Sequence, residues 1–160
     1  MSAARLAPTI PFPAVAYVPH RHPHPSKHES AVLDAVPDVT HRYALDLFNH
    51  GYYWEAHESW EKLWRHHGPN SLEGRAFHGL IALAAAGVKA REGNSRGTGH
   101  HARRAAAIFR GLGDERPIVL GLSITVLVVF AEAIAADPPS RPAANEAPPE
   151  VVFAKPLTPA

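Results

Sequence analysis

Of the 16 prolines in this chain of 160 residues, seven precede Asp38 and seven follow Asp137; only Pro69 and Pro117 lie between. Proline lacks a backbone N–H and clashes with the preceding helical turn, so helices avoid it in their interiors. The proline-poor window therefore predicts an all-α fold: a compact single-domain helical bundle of about five helices over residues 38–136. The flanks, 1–37 and 137–160, are predicted to be disordered Pro-rich tails. The first tail is also rich in histidine, at His20, His22, His24 and His28. Short His-rich tracts can capture metal, but a tail whose histidines do nothing specific is the simpler reading.

Apolar residues make up 46% of the chain, enough to bury a core. The absence of cysteine excludes disulfides and thiolate metal sites. It fits a reducing compartment, and the expected location is cytoplasmic. The N-terminus has no continuous apolar stretch of the signal-peptide kind. The longest apolar-rich run, Ile118 to Ala131, has 14 residues and contains Ser123 and Thr125. That is short for a membrane span, so it is read as a buried helix and no membrane partner is expected.

Apolar spacing and caps place the helices. The first is predicted over Asp38–Asn49, ended by Gly51. The second is predicted over Tyr52–His67, ended by Gly68-Pro69. Tyr53, Ala56, His57, Trp60, Leu63, Trp64 and His67 form its apolar stripe. Glu55, Ser59, Lys62 and His66 fall on the other side and are expected to be wet. The third helix is predicted over Ser71–Arg91, with Phe77, Leu80, Ile81, Ala84 and Val88 inward and a small-residue run, LIALAAAGV, that permits close packing. Gly93-Asn94 then supplies a stop and a new N-cap. The fourth is predicted over Ser95–Leu112, with Ala102, Ala105, Ala106, Phe109 and Leu112 inward. The last is predicted over Val119–Ala136; its valines also suit a strand, but one strand would lack a partner.

Net charge is +1, unevenly spread. Glu29–His67 is acidic and Gly68–Arg116 basic, as expected of hairpins that complement each other within a chain or across a homo-oligomer. The arginines Arg96, Arg103, Arg104 and Arg110 raise a nucleic-acid surface as an alternative. Their excess is small and no aromatic residues are interleaved with them, which argues against it.

On helix two, His57 and Glu61 are four residues apart and share a face, with Trp64 one turn further. An imidazole at the edge of an apolar stripe beside a carboxylate can bind a divalent metal, exchange a proton, or satisfy itself. The pattern is neither the zincin HExxH nor the Glu-x-x-His pair of di-iron bundles.

The stretch Phe48-Asn49-His50-Gly51-Tyr52-Tyr53-Trp54-Glu55-Ala56-His57-Glu58 resembles the domain of unknown function 309 family. Gly79-Leu80-Ile81 and Gly93-Asn94-Ser95-Arg96-Gly97 resemble two further blocks of it. The resemblance covers about Thr40 to Leu112. Its motif, H-x-x-x-E-x-x-(W/Y), falls here on His57, Glu61 and Trp64, and the family is suggested to bind metal through that motif on a helical bundle. Where the family commonly has glutamine, this chain has His78. That imidazole either replaces the amide in a hydrogen-bond network or adds a ligand.

The resemblance thus implies a divalent-metal site, zinc or similar, at His57 and Glu61; the third ligand must come from elsewhere, with His78 on the next helix as the candidate, and Glu58 would be a general base. His100 or His101 is second choice to His78. Trp54, Trp60, Trp64 and Asn94 are the expected wall. The function that follows is a metal-binding, hydrolase-like helical domain. The alternative is a non-catalytic interaction module that associates through the apolar segment GLSITVLVVF, with His57 and Glu61 as a structural polar pair.

Overall fold

A computed structural model describes residues 2–25, 37–144 and 148–160; His28 lies outside them. The described residues hold five helices: α1 (Pro37–Asn49), α2 (Tyr53–His67), α3 (Leu72–Arg91), α4 (Ser95–Gly113) and α5 (Ile124–Ala136). Connectors of three or four residues join the first four, so sequence neighbours pack antiparallel. Each helix packs on the next along the chain.

The caps act as their chemistry requires. Ser71 accepts from the Gly74 N–H at the start of α3, and Asn94 accepts from the Gly97 N–H at the start of α4. Between them Gly93 sits at φ 79°, the left-handed conformation that ends a helix at low cost.

The middle helix α3 is buried on more than one stripe, because α2 covers one side and α4 another. Its small residues make this possible. A Cβ on Gly79 would come within 2.4 Å of the Phe109 ring, and one on Gly87 within 2.3 Å of the Tyr53 ring.

The segment before α5 corrects one expectation. The last helix starts at Ile124, not near Val119, and a two-stranded antiparallel hairpin precedes it: β1 (Ile118–Val119) and β2 (Leu122–Ser123). The strand-like residues find their partner in each other. Leu120 and Gly121 both have positive φ, 55° and 73°, as a two-residue I′ turn demands.

The flanks correct another. Where described, they are not disordered tails but extended arms packed on the bundle. In the N-terminal arm the Leu6 and Ala7 N–H groups donate to the buried Asp46 carboxylate at 2.7 and 2.8 Å, and Arg5 Nε joins at 3.0 Å. Phe12 lies against the rings of Tyr43, His50 and Tyr52. In the C-terminal arm Asn49 exchanges two hydrogen bonds with the Leu157 backbone, at 2.7 and 2.8 Å. The Tyr53 hydroxyl accepts from Val152 N–H, and Phe153 packs on Phe48, Tyr53 and Phe130. Proline forbids helix in these arms but suits an extended chain, and bundle side chains satisfy backbone groups that no ladder would.

Candidate functional site

Helix α2 positions the site. Trp60, on its inward face, is fully buried and donates its Nε1–H to His41 Nδ1 of α1 at 3.1 Å. His41 Nε2 in turn donates to the Leu120 carbonyl at 3.0 Å. This imidazole is therefore neutral with its proton on Nε2. Burial lowers its pKa, because the charged ring would lose its hydration, and this outweighs the Leu120 hydrogen bond and the Asp38 charge that favour it. The Trp60–His41 bond fixes the rotation of α2, and with it the direction of the next face.

That face carries His57, Glu58 and Glu61, all half-buried, with one potential ligand atom from each lying within 4.8 Å of the others. His57 Nδ1 is 3.4 Å from Glu58 Oε1 and 3.7 Å from Glu61 Oε2. The nitrogen is buried and makes no hydrogen bond among the described residues. Glu61 turns its other oxygen, Oε1, to Arg65, one turn along the helix.

The remaining candidates divide. His78, on α3, is not in this group. Its Nε2 accepts from the Arg104 guanidinium at 2.9 Å, and its ring lies 5.8 Å from that of Trp64. Burial and the adjacent Arg104 charge lower its pKa. Trp64 thus borders the site, one turn past Glu61, with its buried Nε1 lacking a partner among the described residues. Trp54 stands one turn before His57, edge-on to Tyr17 and His24 of the N-terminal arm. Trp60 belongs to the core instead of the wall, and Asn94 is an exposed cap on α4. His100 is exposed beside His101. His101 is half-buried; burial lowers its pKa most, followed by the charges of His100, Lys89, Arg104 and His57.

The opposite face of α2 differs from expectation. Glu55 and Ser59 are buried, not wet. The N-terminal arm reaches Glu55, whose Oε2 accepts from Tyr17 N–H at 2.9 Å, and Ser59 Oγ donates to the Glu55 carbonyl. Glu55 Oε1 has no hydrogen-bond partner among the described residues. Burial pushes this carboxyl up to about 7, outweighing the bond from Tyr17. Helical periodicity marked the position as polar and therefore outward; nothing local to α2 signals an arm arriving from 38 residues away.

A helical bundle with one imidazole and two carboxylates gathered on a half-buried face of its second helix defines the class. Residues 41–100, from α1 into α4, match the family model described as Domain of unknown function (DUF309). This stretch of the chain is similar to that family, and it contains His57, Glu58, Glu61 and His78. A comparison with curated proteins gives no match. No helix among the described residues is long and apolar enough to cross a membrane.

Proposed function

We propose that the His57 face of α2 is a divalent-metal site, for zinc or a similar ion, and that the bundle is a metal-dependent, hydrolase-like domain. One observation carries the reading: two carboxylates converge on a buried imidazole nitrogen that lacks a hydrogen bond among the described residues. The distances fit. With bonds of about 2.1 Å, the edge of a tetrahedron of ligands is about 3.4 Å. The separations from His57 Nδ1 are 3.4 and 3.7 Å. Arg65 restrains Glu61 by one oxygen and leaves Oε2 directed at the site, the kind of outer contact that orients a ligand.

A bound ion would supply Lewis-acid polarisation of a substrate oxygen. His57 and Glu61 would hold the ion, Glu61 because Arg65 already orients its carboxylate. Glu58 is the more exposed of the two carboxylates, at 36% against 27%, which supports its taking a proton from a water or substrate group. For His78 to join as a ligand, its Nε2 would have to release Arg104.

The test is zinc and manganese binding by the full chain, with His20, His22, His24 and His28 changed to alanine to remove adventitious capture. His57→Ala and Glu61→Gln are each expected to weaken binding by about tenfold or more. Binding that both variants retain, or that is absent at the start, would reduce the group to a structural polar pair.

The second reading, self-association through the last helix, is favoured by Val126 and Val129, whose side chains stand 57% and 60% exposed on α5.

A further inference from the structure

Helix α5 buries Ile124, Leu127, Ala131 and Ile134 on one side. Its only charged side chain, Glu132, is engaged by Arg110 of α4. The outer side presents Val126 and Val129, with Glu132 exposed on its margin and held there by Arg110. Beside it run residues 152–156 of the C-terminal arm, and between helix and arm lies a groove of about 600 Å³. Val126 and Val129 form the helix wall of this groove, so the exposed valines and the groove share one face. Asp137 and Lys155 both border that groove, and neither makes an ion pair among the described residues.

This inference rests on the self-association reading and goes further, to the arrangement. We propose that the groove is filled by α5 of a second copy of this chain, related by a twofold axis. Each copy's Val126 and Val129 would enter the other's groove, and Asp137 of each would meet Lys155 of the other.

Two opposite charges left unpaired on one apolar groove are what choose this occupant. A ligand carrying a single charge would satisfy one and repel the other. In a twofold contact, residue i meets j and j meets i, so one self-complementary patch pairs both charges of each copy, in two equivalent ion pairs. The small Ala133 on the outer side of α5 lets the paired helices approach closely.

Sedimentation velocity of the full chain at micromolar concentrations tests this. The expected species is a dimer. Val129→Asp, at an exposed position that leaves the helix content by circular dichroism unchanged, is expected to give monomer, as is Val126→Lys. Asp137→Lys and Lys155→Asp should each weaken the dimer by about tenfold or more through like-charge contact. The double reversal Asp137→Lys/Lys155→Asp should restore it. A monomeric wild-type chain overturns both this arrangement and the self-association reading. A dimer indifferent to Val129→Asp and Val126→Lys overturns this arrangement alone. Failure of the double reversal to rescue the single ones overturns the twofold pairing.

Discussion

Replacing Glu55 with glutamine should stabilise the protein in alkaline solution and do little in acid. In the fold, burial raises this carboxyl to about 7, from 4.5 in the open chain. Between those values the folded state holds a proton that the unfolded state has released, so stability falls as pH rises through the window. Ionisation of a carboxyl with such a displacement costs the folded state about 3 kcal/mol once pH exceeds 7. Glutamine keeps an oxygen for the Tyr17 N–H and carries no charge to bury. Urea unfolding of both proteins at about pH 4 and about pH 8 is the assay. The advantage of Glu55→Gln over wild type should grow by about 3 kcal/mol between the two conditions. Taking the difference matters because His41, its pKa lowered by burial, works the other way: it costs stability as pH falls below its unfolded value of 6.5. That contribution is common to both proteins and cancels. An advantage that is the same at both pH values would refute the claim that a buried charge is at issue. Amide exchange at Tyr17 gives an independent reading: in wild type it should quicken at alkaline pH as the arm loosens, and in Glu55→Gln it should follow ordinary base catalysis alone.

Three further outcomes follow from contacts in the bundle. Gly79→Ala places a methyl 2.4 Å from Phe109 and should cost about 1–3 kcal/mol in urea unfolding, by forcing α3 and α4 apart. Asn49→Ala removes both hydrogen bonds to Leu157 and should lower stability by about 1–2 kcal/mol, with faster amide exchange from Val152 to Leu157. His78→Ala should change zinc affinity by no more than about twofold, because its Nε2 already serves Arg104; a loss like that of His57→Ala would return it to the ligand set.

Much of the candidate site was legible because a helix converts spacing into position. Four residues separate His57 from Glu61, and helical geometry alone puts them on one face. The link from Glu61 to Arg65 obeys the same rule. His78 was not legible. Whether it meets His57 or Arg104 depends on how α3 lies between α2 and α4, and sequence spacing is silent about contacts between helices. The same limit explains Trp60, which shares the aromatic stripe with Trp64 but faces His41 of α1.

The sequence by itself determined where helices could exist, where they stop and which residues cap them, because proline, glycine, serine and asparagine act through the backbone within one turn. It also determined the face on which the imidazole and carboxylates stand. Tertiary structure alone decided what covers each face. The arms read as featureless because they lack periodicity. They are held by Asp46, Asn49 and Glu55, which lie 38 to 108 residues away in sequence. Burial of a polar group is set by whatever segment arrives from elsewhere, and that is why Glu55, polar by every local rule, ends up in the dry.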